Sequence, residues 1–161
     1  MRGDHLFQFG FSPCPNDTFA FWAAVHGAID SSISFEPVLA DIETLNEQAV
    51  SGPCAPAVTK LSLPALARCI DRYAVLGSGA ALGFGCGPLV VCSDPEMTLE
   101  DLPKSRVAIP GHHTTASLLM ASMLPKAGEI VAMRFDEIMP AVASGDCDAG
   151  LVIHESRFTF S

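Results

Sequence analysis

Residues 77–88 read GSGAALGFGCGP. Five glycines in twelve residues will not hold a single helix or strand, because glycine loses the most backbone entropy when fixed and brings no side chain to pack. Such a stretch is a hinge, a binding loop or both. On either side of it the chain alternates short apolar runs with helical patterns. The stretch therefore divides the sequence into two lobes, residues 1–85 and 86–161.

Upstream, HLFQFGF (5–11) reads as a strand and SPCPND (12–17) as a turn-rich loop, with Asn16 or Asp17 capping a helix over TFAFWAAVHG. ISFEPVLA (33–40) is a second strand. Asp41 caps IETLNEQAVS, where Ile42, Leu45 and Ala49 share a face and Gly52 ends the helix. PAVTK (56–60) is a short strand, LSLPALARCIDR a helix with Pro64 in its first turn, and YAVLGSGA (73–80) a fourth strand. Downstream, PLVVCS and RVAIP are strands, HHTTASLLMASML a helix starting near Thr114, and IVAMRF a strand. Asp136 caps EIMPAVASG, which Pro140 should kink or shorten, and AGLVIH is the last strand. Alternating strands and helices predict an α/β fold with parallel sheets and right-handed crossovers.

Composition narrows the functions. The 161 residues are 49% hydrophobic and 17% charged, enough to fill a core. The formal charge of −9 opposes binding to a phosphate backbone, and no basic cluster offsets it, so nucleic acid is excluded as a partner. No apolar run has the roughly 18–20 residues a membrane span needs, so no membrane insertion is expected. The opening MRGDHLFQFGFSPCPND does not read as a secretory signal. Six cysteines form no CxxC pair and read as free thiols, and neither HExxH nor paired CxxC offers a zinc site. There is no GxSxG elbow and no P-loop, and the glycine pattern lacks the later acidic residue of a dinucleotide site.

In open parallel sheets, ligands collect outside the carboxyl ends of the strands. There the sequence places SPCPNDT, Lys60-Leu61-Ser62, Ser78-Gly79, GHHTTA (111–116), and finally His154 and Glu155. Most are small or hydroxylated segments at strand-to-helix turns, where free N–H groups and the helix dipole favour a carboxylate. Serine and threonine at such points also serve as ordinary caps, and Lys60 as an ordinary surface lysine. His154 stands apart because the strand that delivers it is otherwise apolar.

FSPCPNDTFAF, ADIETLNE, TKLS, LGSGAALGFGCGPLVV, VAIPGHHTTASLL and FDEIMPAVASGDCDAGLVIHESRFTF occur in that order. Together they closely resemble the 1,4-dihydroxy-6-naphthoate synthases of the futalosine route to menaquinone, over essentially the whole chain. The resemblance implies an α/β, two-lobed fold like the type 2 periplasmic binding proteins, with parallel-rich sheets and a cleft between the lobes. It implies a cytoplasmic enzyme that needs no metal or nucleotide cofactor. Cyclic dehypoxanthine futalosine, a small anionic aromatic substrate, would be split into 1,4-dihydroxy-6-naphthoate and dihydroxyacetone. His154 would be the proton acceptor; an imidazole with an unperturbed pKa of about 6.5 suits that task. Lys60, Leu61, Ser62, Thr114 and Thr115 would line the substrate site, joined by Ser78 and Asn16 from the strand-end survey. Glu155 would orient the imidazole or face solvent.

Two departures accompany the resemblance. VSGPCAPAVTKLS is more proline-rich than the family pattern, and His112 stands where a basic residue is expected. The chain is also short for the family, as if C-terminally truncated, with an incomplete first lobe. Uncovered apolar sheet faces would then promote self-association or require a completing C-terminal polypeptide. Three competing readings are a chorismate dehydratase-like enzyme of the same pathway, a non-catalytic solute-binding protein and an inactive fragment. The IHESRF histidine favours the lyase over the first.

Overall fold

A computed structural model of the chain describes residues 5–30 and 32–153. It divides into two compact units, Met1–Ala81 and Leu82–Ser161. The division falls inside the glycine-rich stretch.

The first unit runs β1 (His5–Phe11), α1 (Pro15–Val25), β2 (Ile33–Leu39), α2 (Ile42–Ser51), β3 (Val58–Thr59) and α3 (Leu63–Arg68). Its three strands are all parallel in the order β2-β1-β3. β1 is central, and its alternation separates two layers. Phe9 and Phe11 point to one face, where they are buried with Phe21 of α1; the Phe9 and Phe21 rings meet edge-on at 4.7 Å. Gly10 points to the other face, toward α2. A Cβ there would lie 2.8 Å from Leu45 Cδ2, 2.8 Å from Thr59 Oγ1 and 3.0 Å from Pro56 Cγ, so only glycine lets these elements close on β1. Pro37, which has no N–H to give a ladder, sits in the edge strand β2.

α2 forms as the sequence predicts: Asp41 caps it by accepting from the Glu43 N–H at 2.9 Å, Leu45 and Ala49 are fully buried, and Gly52 is the C-cap. α1 does not start where expected. Pro15, whose fixed φ suits a first turn, takes the first helical position, so Cys14 is the N-cap residue and Asn16 and Asp17 fall inside the first turn. Residues 73–80 form no strand. Among the described strands none pairs with this segment, so its backbone has no ladder to join. The chain is instead tied back by side chains. Arg72 Nη2 donates to the Ala49 and Val50 carbonyls at the end of α2, and Tyr73 donates its hydroxyl to the Pro56 carbonyl at 3.0 Å. Val75 and Leu76 are exposed.

The second unit runs β4 (Leu89–Cys92), a 3₁₀ helix (Leu99–Lys104), β5 (Arg106–Ile109), α4 (Thr115–Met123), β6 (Glu129–Ala132), α5 (Phe135–Ser144) and β7 (Ala149–Val152). The sheet order is β4-β7-β5-β6; β7, β5 and β6 are parallel and β4 is antiparallel to β7. An apolar run carries no mark of its direction, so the reversed β4 was not legible from pattern. Val107 and Ile109 pack with Ala116 and Met120 of α4 on one face, while Ala108 packs with Ile138 and Val142 of α5 on the other.

The 3₁₀ helix is an element the pattern missed. The Asp101 carboxylate accepts from the Thr98 N–H and hydroxyl, both at 2.9 Å, and those bonds, the backbone one foremost, hold its pKa below the usual carboxylate value. Asp136 does not cap α5. The Arg134 N–H donates to Glu137 Oε2 at 3.2 Å, and Asp136 is drawn into an ion pair with the Arg134 guanidinium at 2.8 Å. Pro140 lies inside α5 without ending it, because the helix continues to Ser144.

Candidate active site

In the first unit the carboxyl edge of the sheet gathers Ser12 after β1 and Lys60-Leu61-Ser62 after β3. The Lys60 N–H donates to the Gly10 carbonyl at 2.7 Å, which extends the β1–β3 pairing by one bond and fixes where the lysine leaves the sheet. Its ammonium lies 3.6 Å from Asp17 Oδ1, donates to the Gly79 carbonyl at 3.3 Å and stands 6.0 Å from the centre of the Phe21 ring. The Lys60 side chain is 19% exposed, so it is not the free surface lysine that residue type alone would suggest.

Two neighbours hold this arrangement; sequence put both in strand-end segments, Asp17 in SPCPNDT and Gly79 beside Ser78, but gave neither a site role. Asp17 is buried, and its Oδ2 accepts from the Ser12 N–H at 3.2 Å and the Ser12 hydroxyl at 2.8 Å. Gly79 has φ of +84°, and a Cβ there would come within 3.3 Å of Phe21 Cε1. Only glycine presents its carbonyl to Lys60 from that backbone without strain. The signals were Asp17, an acidic residue in the loop after a strand that also reads as a helix cap, and Gly79, marked only as the neighbour of Ser78.

Ser62 is the N-cap residue of α3, yet its side chain does not cap it. Asn46, fully buried on α2, claims it: Asn46 Nδ2 donates to Ser62 Oγ at 3.1 Å, and the Ser62 N–H donates to Asn46 Oδ1 at 2.9 Å. A hydroxyl that accepts in this way keeps its own proton for donation. Leu61, between the two polar residues, is half-buried. Asn16 is exposed in the first turn of α1, and Ser78 is exposed in a bend rather than at a strand end.

In the second unit, β5 leads into Pro110-Gly111-His112-His113-Thr114. Thr114 is buried; its hydroxyl donates to the Gly111 carbonyl at 2.9 Å and accepts from the Ser117 N–H at 3.2 Å. Ser117 Oγ donates to the same carbonyl at 2.6 Å. The Thr114 side chain is thus occupied as the cap of α4. Thr115, half-buried at the first position of α4, stands beside N–H groups that the helix's own carbonyls do not take. β7 ends at Val152 next to β5. His154 and Glu155 lie outside the described residues.

A cavity of about 550 Å³ in this unit, lined by Ser93, Asp94, Met97, Ser105 and Asp148 among others, lies at the opposite edge, where β5 and β7 begin. Within this unit it lies away from Thr114 and the end of β7. Among the described residues no three His, Cys, Asp or Glu side chains are grouped to hold a metal ion, and no helix is long and apolar enough to cross a membrane.

Helices flanking parallel-rich sheets, with polar groups at the carboxyl edges, give the chain a periplasmic-binding-protein type 2-like fold. An arginine-binding protein from T. maritima matches with a TM-score of 0.59 at 14% identity over 96% of this chain and 71% of its own, a likeness of fold alone. A crystal structure of protein AF1704 from Archaeoglobus fulgidus matches far better, with a TM-score of 0.85 and 39% identity over 97% of this chain and 56% of its own. The sequence model described as "Menaquinone biosynthesis" matches residues 7–161, and the chain belongs to that family. Proteins named 1,4-dihydroxy-6-naphtoate synthase are similar to it. The one from Thermus thermophilus is 53% identical over 95% of this chain and 54% of its own, and the one from Streptomyces coelicolor 45% identical over 99% and 56%. The chain spans about half the length of these relatives.

Proposed function

We propose that this protein acts in menaquinone biosynthesis as a carbon–carbon lyase, splitting cyclic dehypoxanthine futalosine into 1,4-dihydroxy-6-naphthoate and dihydroxyacetone in the cytoplasm. The observation that carries the reading is the 53% identity, over 95% of this chain, to a protein named for that product. The chemistry fits. The substrate joins an aromatic carboxylate to a hydroxylated ring derived from ribose. Lys60 supplies a held cation for the carboxylate. Ser62 supplies a positioned hydroxyl, and the first turn of α4 with Thr115 supplies donors for oxygens. Leu61 contributes apolar contact, and Asn16 and Ser78 are assigned outer contacts. His154 is the general base that removes the proton from which ring opening and aromatisation proceed. The likeness to an amino-acid-binding protein, at 14% identity, lends its ligand class no support here.

The test is turnover. The purified chain is incubated with cyclic dehypoxanthine futalosine and naphthoate is followed by chromatography, with His154→Ala in parallel. Product from wild type and a loss of about 10²- to 10⁴-fold in the variant are expected. A folded wild type that makes no product, or a variant of undiminished rate, overturns the reading.

A further inference from the structure

A lysine that binds an anion from many rotamers must be ordered at each binding event, and that cost is subtracted from affinity. Here the ordering is already done. Of the three donor directions of the Lys60 ammonium, one meets the Gly79 carbonyl at 3.3 Å and another faces Asp17 Oδ1 at 3.6 Å, which among the described residues leaves one for a ligand. Asp17 is itself fixed: both Ser12 bonds fall on Oδ2, which leaves Oδ1 to the lysine. A buried carboxylate is costly unless it is paired and hydrogen-bonded, and Asp17 is both.

We propose that Asp17 is a positioning residue for anion recognition: anchored by Ser12, it holds the Lys60 ammonium against the Gly79 carbonyl and the Phe21 ring, so that a substrate carboxylate meets a pre-ordered donor. The proposal rests on the reading of Lys60 as a substrate contact. A purely structural role, in which Asp17 favours the start of α1 through the helix dipole, would leave Lys60 mobile and its partners unaffected.

The chain has three lysines, Lys60, Lys104 and Lys126, so lysine labelled with ¹³C at Cε gives three methylene signals, and Lys60→Met identifies one of them. The two Lys60 ε-protons should be inequivalent and motionally restricted in wild type, and averaged in Asp17→Asn. Ser12→Ala, a milder change, should loosen the same signal partway and serves if Asp17→Asn does not fold. In turnover, Asp17→Asn should raise KM about tenfold with kcat within about twofold, the size of one lost charge-assisted contact. Added to Lys60→Met, it should change KM by less than about twofold, because the two residues act as one unit. A Lys60 signal equally mobile in wild type and Asp17→Asn overturns the proposal, as does an undiminished effect of Asp17→Asn in the Lys60→Met background. If wild type has no turnover, the proposed reaction fails while the methylene signals still decide whether Asp17 holds the lysine.

Discussion

Replacing Asn46 by alanine should be among the most damaging single truncations in the first unit, although the residue is polar. Asn46 is fully buried and its amide makes three hydrogen bonds: Nδ2 to Glu43 Oε2 at 3.1 Å, Nδ2 to Ser62 Oγ at 3.1 Å, and Oδ1 from the Ser62 N–H at 2.9 Å. At about 0.5–1.5 kcal/mol each these sum to roughly 1.5–4.5 kcal/mol, and a stranded buried donor costs about 1–3 kcal/mol by itself. Ser62 is half-buried, so water can recover part of that cost. A net loss of about 2–4 kcal/mol is therefore expected for Asn46→Ala. A unit of this size has only about 4–12 kcal/mol to lose. The chain's single tryptophan, Trp22, lies in α1, so its fluorescence follows unfolding of the first unit in urea. With a slope near 1 kcal/mol/M the midpoint should fall by about 2 M or more. Ser62→Ala, which keeps the Ser62 N–H bond and loses one donor contact, should cost only about 1 kcal/mol. Equal costs for the two variants, or a midpoint shift below about 0.5 M for Asn46→Ala, would refute the claim that Asn46 pins the α2–α3 corner.

Gly10→Ala should destabilise the same unit by about 1–3 kcal/mol in that urea assay, because its Cβ meets three groups packed around α2 and β3; a neutral result would mean that Leu45, Thr59 and Pro56 can shift together. Tyr73 is the chain's one tyrosine, and burial, the main cause, raises its pKa above 10.0. Absorbance at the tyrosinate band should therefore titrate above pH 10 in the folded protein. Because the unfolded chain ionises first, stability should fall as pH rises from about 10 through the folded value. Tyr73→Phe should remove that alkaline loss, and a midpoint at or below 10 would contradict it. Phe19 and Trp22, one helical turn apart on α1, are 88% and 56% exposed, which predicts self-association at high concentration. Sedimentation should show it reduced in a Phe19→Ser, Trp22→Gln variant, and a monomeric wild type would remove the basis for the prediction.

Much of the fold was legible because burial imposes a period. β1, β2, α2, β5 and α4 fall where apolar spacing and caps put them, since Asp41 and Thr114 each meet an N–H group of the first turn. The helix starts at Pro15 and Phe135 were misplaced because Asn16 or Asp17 in one case and Asp136 in the other read as caps, while the fixed ring geometry of Pro15 and the Arg134–Asp136 pair put all three acidic or amide residues inside the first turn. The false strand at 73–80 shows the limit of apolar content, since a ladder needs a partner and none of the described strands pairs with it.

For the candidate site, sequence alone determined which segments follow the carboxyl ends of strands, and hence Lys60, Ser62 and Thr114, because the residues after a strand leave from its carboxyl end whichever way the strand runs in the sheet. It also carried the family resemblance. The tertiary structure decided what those groups are free to do. Thr114 caps α4 through bonds only three residues long, as its position already suggested, whereas packing gave Ser62 to Asn46, sixteen residues away along the chain. It set Lys60 between Asp17 and Gly79, in segments remote from it in sequence. A hydrogen bond falls away within an ångström or so, and no spacing rule fixes distances between distant segments; only packing of the helices against β1 brings them within reach.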